Sequence, residues 1–154
     1  MPGMPKVDEN HQRLERLAGS WVAEEQLSPS PWGAGGTATG RVEARMALDG
    51  FFLLTDYQQE REGRVTFRGH SVHGWDPQRK VVVWYWVDSM GLPPPAPATG
   101  RWEGDALVMT QATPMGQSRY SWRLDGDGSY RFAIESSPDG EKWQLFTEGQ
   151  YRPA

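Results

Sequence analysis

The sequence predicts an all-β meander of about ten antiparallel strands, either a sandwich or a closed barrel, with one short N-terminal helix. Three observations carry this. Apolar residues alternate with polar ones at a period of two along most of the chain. Turn-forming pairs recur at short intervals: Asp49-Gly50, Glu62-Gly63, Asp76-Pro77, Gly104-Asp105, Asp125-Gly126-Asp127-Gly128 and Asp139-Gly140. Helical periodicity occurs once, where Leu14, Leu17 and Ala18 share a stripe.

In chain order, residues 8–18 form the helix, with Asp8 as N-cap and Gly19 as terminator. The strands fall at roughly 20–28, 38–48, 51–61, 64–75, 80–90, 99–103, 106–111, 117–124, 129–136 and 142–151. Alternation is clearest where Val42, Ala44, Met46 and Leu48 oppose Arg41, Glu43 and Arg45. It is equally clear where Tyr120, Trp122 and Leu124 oppose Arg119, Ser121 and Arg123. Two loops exceed a hairpin's needs: 28–37, which carries Trp32, and 91–98, which carries Pro93-Pro94-Pro95-Ala96-Pro97 and should be stiff. The N-terminal helix distinguishes sandwich from barrel only weakly, and residues 1–7 read as a flexible lead into a single domain spanning 1–154.

Composition narrows the function classes. The 154 residues include no Cys, which excludes a thiol nucleophile, a Cys-ligated cluster and dithiol chemistry. Sixteen Lys and Arg against 20 Asp and Glu, a net charge of −4, leave no basic surplus for nucleic acid. The longest apolar run, 81–87, is far short of a membrane helix, and no signal-peptide core follows Met1, so a cytoplasmic protein is expected. Eight Trp, five Tyr and five Phe in a chain of mean hydropathy −0.69 must be gathered on the inner faces of strands.

The hairpin 64–90 is the densest stretch. If Asp76 pairs with Arg79 across a tight turn, Gly69 faces Trp86, Ser71 faces Trp84 and Phe67 faces Asp88, with His73 and Trp75 on that same side. This face is expected to point inward, small residues leaving room for the indoles, while Arg68 and His70 share the other face with Tyr85 and Val87. His70 and His73 therefore point to opposite faces and do not chelate one metal; no metal site is expected. A His70–Asp88–Ser89 triad is disfavoured by the same parity, and Asp88 reads as a cap on the turn that follows. Trp21 is expected to plug the closed end beneath Leu14 and Leu17. Arg45, Arg68 and Tyr57 are candidate anchors for a carboxylate if they face inward.

Gly19-Ser20-Trp21 after a short helix resembles the G-x-W signature of calycin barrels, the superfamily of lipocalins, fatty-acid-binding proteins and nitrobindins. Three further segments, in order, resemble the motifs of the bacterial family called domain of unknown function 1579. They are Leu48-Asp49-Gly50-Phe51-Phe52-Leu53, Gly69-His70-Ser71-Val72-His73-Gly74-Trp75-Asp76-Pro77 and Trp86-Val87-Asp88-Ser89-Met90-Gly91, with the ending Glu148-Gly149-Gln150-Tyr151-Arg152. The resemblance implies a calycin-like antiparallel barrel with a helix closing one end, and a site touching His70, Trp86, Asp88, Ser89 and Met90. Nitrobindin-type relatives hold haem through a His near the C-terminal end. No His follows His73 here, which leaves only His70 or His73 as an axial ligand.

The leading expectation is a barrel that binds a small hydrophobic or aromatic ligand through Tyr57, Arg45, His70, Trp84, Trp86, Asp88, Ser89 and Met90, without a cofactor. The alternatives are an acid–base enzyme of isomerase or cyclase type using His70 or Asp88, a haem protein, and a filled barrel with a structural or partner-binding role. A homodimer would form through barrel faces or loops, since a closed barrel has no free edge.

Overall fold

A computed structural model describes residues 3–31, 33–94 and 96–154. Trp32 and Pro95, both singled out above in loops, lie outside the described residues. Asp8 caps α1 (Glu9–Leu14): its carboxylate accepts from the Asn10 amide at 2.8 Å, and the His11 ring accepts from the Asp8 amide at 3.0 Å. The helix is shorter than expected, because Glu15–Leu17 tightens into a 3-10 turn before Gly19 (φ 135°) turns the chain into β1.

Ten strands follow: β1 (Gly19–Leu27), β2 (Gly36–Ala47), β3 (Phe52–Arg61), β4 (Arg64–Asp76), β5 (Val81–Asp88), β6 (Ala98–Glu103), β7 (Ala106–Thr113), β8 (Gly116–Leu124), β9 (Tyr130–Ser137) and β10 (Gln144–Pro153). Each pairs antiparallel with the next, and β1 pairs with β10 from Trp21↔Pro153 to Leu27↔Thr147, closing the sheet into a barrel. The sandwich alternative is thereby eliminated.

The β4–β5 register differs from the tight-turn expectation. Asp76 pairs with Val81, not Arg79, so Ser71 faces Trp86, His73 faces Trp84 and Gly69 faces Asp88. The cause is a four-residue loop. The Asp76 carboxylate accepts from the Gln78 and Arg79 amides, the Lys80 amide donates to the Asp76 carbonyl at 2.8 Å, and Lys80 takes a left-handed φ of 56°. A slip of two preserves parity, so the residues within β4 and β5 keep their predicted faces; Met90, expected on the inner face with Trp84 and Trp86, lies beyond the end of β5 and is exposed.

One seam is incomplete. β5 pairs with β6 only through Val82–Trp84 opposite Ala98–Gly100, and beyond Trp84 no further β6 partner occurs among the described residues. The barrel is closed all the same, with this the shortest of its pairings among the described residues. The Gln111 side-chain amide donates to the Ala96 carbonyl, just before β6, at 2.6 Å.

The interior has two storeys. At the helix end, Leu14, Leu17, Leu53, Val82, Leu107 and Met109 are at most 3% exposed. Trp21 lies there as expected, its indole N–H donating to the Leu17 carbonyl at 3.1 Å and its ring edge-on to Tyr130. Towards the other end, which we call the mouth, the inward-facing Tyr57, Phe67 and Trp86 are only half-buried.

Candidate functional site

The mouth storey is built from β1 to β5. Trp86 faces inward on β5, and its ring lies diagonally across β4 over Gly69, where a Cβ would fall 2.1 Å from the indole Cη2. The small residue thus makes room for an indole, though it is not the directly opposed partner. Phe67 and Tyr57 complete an aromatic wall: ring centroids are 6.5 Å apart for Phe67–Trp86, 6.0 Å for Tyr57–Trp86 and 6.2 Å for Tyr57–Phe67. Trp84 joins it from below, 5.6 Å from Trp86 and 4.7 Å from Tyr120.

Asp88 sits at the rim of this wall. One carboxylate oxygen accepts from the Trp86 indole at 2.7 Å, and the other accepts from the Met90 amide at 3.0 Å, the turn-capping role expected of it. Trp84, Trp86, Tyr57 and Asp88 are therefore one constellation. The other predicted residues are elsewhere. Arg45 is exposed on the outer face of β2. Met90 is 58% exposed, and Ser89 lies beyond the end of β5, its hydroxyl accepting from the Arg68 amide.

His70 lies on the outer wall, its Nδ1 2.8 Å from the Asp56 carboxylate, in a groove of about 630 Å³ that Arg41, Glu43 and Arg68 also line. It does not meet Asp88, which its parity places on the inner face, so no His70–Asp88 acid–base pair forms. Haem finds no ligand here either. His70 faces outside, and His73 is enclosed by the rings of Trp84 and Trp122, with centroids 5.8 and 5.0 Å away, leaving no slot for a macrocycle. Among the described residues no group of three or more His, Asp or Glu has the arrangement of a metal site.

Two interior groups escaped the sequence reading. Glu25, on β1, is 3% exposed and points into the barrel. Its carboxylate accepts from the Tyr57 hydroxyl at 2.6 Å, and that hydroxyl in turn accepts from the Gln59 side chain at 3.1 Å. Tyr151, stacked on Tyr130 at 5.3 Å, is a second phenol hydrogen-bonded to the carboxyl. Glycines cut the niche: a Cβ on Gly40 would fall 2.2 Å from both the Glu25 Oε1 and the Tyr151 hydroxyl, and one on Gly149 would fall 3.2 Å from the Glu25 Cγ. Desolvation raises the Glu25 pKa against the pull of these donors, and the distant Arg61 contributes least to holding it down. The same burial, with the carboxylate beside them, raises Tyr57 and Tyr151.

Glu25 is hidden in sequence by its neighbours, since Glu24-Glu25-Gln26 reads as solvated strand. The available signal is parity: Glu25 shares the face of Trp21 and Ala23. The second group, His73, was placed on the correct face but not recognised as distinctive. It is wholly buried, and among the described residues neither of its ring nitrogens, nor the indole N–H of the adjoining Trp84, has a hydrogen-bond partner. Desolvation drops the His73 pKa to about 3, leaving a neutral imidazole at physiological pH.

The sequence matches the family described as "Protein of unknown function (DUF1579)" over residues 6–153. No curated protein matches it. Among solved structures, the crystal structure of Rv2717c from M. tuberculosis superposes with a TM-score of 0.71 at 16% identity, covering 97% of this chain and 99% of that one. At this identity the likeness is one of fold. With a match over nearly its whole length and the closed barrel that the motifs implied, the chain belongs to the DUF1579 family.

Proposed function

We propose that the protein binds a small, partly apolar molecule in the mouth storey of its barrel, against Tyr57, Phe67 and Trp86. The observation that carries this reading is the contrast in burial along the interior. The aliphatic side chains at the helix end are sealed, whereas at the mouth three large rings that pack on one another, Tyr57, Phe67 and Trp86, stay half-buried. Ligand sites typically combine such apolar walls with a few placed polar groups, and Glu25, Gln59 and Asp88 supply these. Burying the exposed parts of the rings under a ligand would contribute roughly 25 cal/mol per Å² of apolar surface. A net charge of −4, without a basic stripe, favours a small-molecule partner over nucleic acid.

The test is a titration with the environment-sensitive probe N-phenylnaphthylamine, followed by competition with a metabolite panel. Saturable binding that Trp86→Ala abolishes is expected. Probe emission that never saturates, or that Trp86→Ala leaves unchanged, would contradict the reading.

A further inference from the structure

We propose that the mouth site selects a ligand bearing a protonated amine or quaternary ammonium group and discriminates against carboxylates. The inference rests on the reading of the mouth as a ligand site and names the chemical class it takes.

The first observation is the aromatic wall. Phe67 and Trp86 lie nearly parallel, 17° apart, and Tyr57 stands steeply to both with its centroid 6.0–6.2 Å away, so a cation docked against the wall meets the aromatic surface that these half-buried rings leave exposed. Ring quadrupoles attract a cation at about 6 Å or less from the centroid, and aromatic cages of this kind recognise ammonium groups. The Trp86 indole also donates to the Asp88 carboxylate at 2.7 Å, which pushes electron density into the ring and strengthens its negative face.

The second observation is the sign of the charge facing the site. Asp88 stands at the rim, and Glu25 is set below the wall, bonded to the same Tyr57 that forms part of it. Glu25 is held by phenols rather than by a cation, in a niche that Gly40 and Gly149 leave open for it. The arginines that sequence offered as carboxylate anchors, Arg45 and Arg68, are exposed on the outer wall. Arg61 donates to the Gly35 carbonyl at 3.4 Å, and its charge acts on Glu25 and Tyr57 only as the last-ranked influence, behind their burial and hydrogen bonds. A ligand carboxylate would lose its hydration and meet the Asp88 carboxylate at the rim; an ammonium would meet that carboxylate, the Glu25 carboxyl as an acceptor below it, and the aromatic wall.

The experiment compares phenylbutylamine, phenylbutanol and phenylbutyrate, which share one apolar body, by tryptophan-emission titration of the full-length protein at neutral pH. The amine is expected to bind about tenfold more tightly than the alcohol, with the acid weakest. Glu25→Gln and Asp88→Asn are each expected to shrink the amine's advantage while leaving the alcohol's affinity in place. The wild-type ranking needs no variant, so it stands even if Glu25→Gln folds poorly. An acid or alcohol that binds tightest overturns the selectivity while the ligand-site reading survives. An amine preference untouched by both variants also overturns it. Failure of all three compounds to bind overturns the site reading itself.

Discussion

The helix end and the mouth of this barrel are made of the same material, inward-facing aromatic and aliphatic side chains, and differ in whether the packing is finished. At the helix end, α1 and the 3-10 turn lower Leu14 and Leu17 into the barrel, and Leu53, Val82, Leu107 and Met109 close around them at no more than 3% exposure. At the mouth Tyr57, Phe67 and Trp86 stay half-buried among the described residues, and the polar groups Glu25 and Asp88 are bonded to two of these rings. The aliphatic plug at one end is sealed. The rings at the other keep apolar surface uncovered, the property on which the proposed ligand site rests.

The largest expected effect breaks the packed half. Leu107→Ala removes a side chain with 0% exposure and should cost about 2–5 kcal/mol in denaturant unfolding. Phe67→Ala, half-buried at the mouth, should cost clearly less while weakening probe binding. Equal losses at the two positions would erase the distinction.

Between the storeys lies His73, whose effect appears on acidification. Its folded pKa, about 3, is below the ordinary value of 6.5, so the unfolded chain binds the proton more readily. The stability of the neutral, buried ring is therefore present above pH 6.5 and is lost as pH falls towards 3. By pH 4 the loss should be roughly 3 kcal/mol, from 1.36 kcal/mol per pH unit below the unfolded value. Glu25 acts with the opposite sign: its raised pKa gives a contribution present below 4.5 that is lost as pH rises through the folded value. Urea midpoints between pH 7 and pH 4 should thus fall in Glu25→Gln, and fall much less in His73→Phe with the same background.

A smaller effect sharpens the mouth. Gly69→Ala places a methyl 2.1 Å from the Trp86 ring and should displace it, costing about 1–3 kcal/mol and shifting tryptophan emission. Smallest of all, His70→Ala on the outer wall removes an exposed pair with Asp56 and should change stability by no more than about 0.5 kcal/mol, with probe affinity unaltered. A loss of binding in His70→Ala would move the site to the outer groove.

Much of this was legible in the sequence. Period-two alternation and turn chemistry placed ten strands within a few residues of their ends, and parity alone put Trp84, Trp86 and His73 inside and His70 outside. Register was not legible, because Asp76-Pro77 opens equally well into a short turn or into the four-residue loop that Lys80 completes with a left-handed backbone. The polar heart of the barrel was hidden for another reason. Glu25 looks like its exposed neighbour Glu24, and what makes it special is Gly40 on β2 and Gly149 on β10, distant in sequence and adjacent only once β1 has found both neighbours. Arg45 falls on the outer face of β2, whereas Ser89 and Met90, which the resemblance offered, lie past the end of β5 at Asp88, where strand parity no longer holds a side chain inside.

The indole N–H groups allow the central claim to be read directly. Each tryptophan gives its own resonance in a nitrogen–proton correlation spectrum, assignable by single Trp→Phe substitutions, and the two storeys hold different ones. On addition of N-phenylnaphthylamine, the account predicts that the Trp86 and Trp84 indole signals shift while those of Trp21 and Trp102, near the helix, stay in place. Shifts confined to Trp21 and Trp102, or an unchanged Trp86 signal at saturating probe, would contradict it.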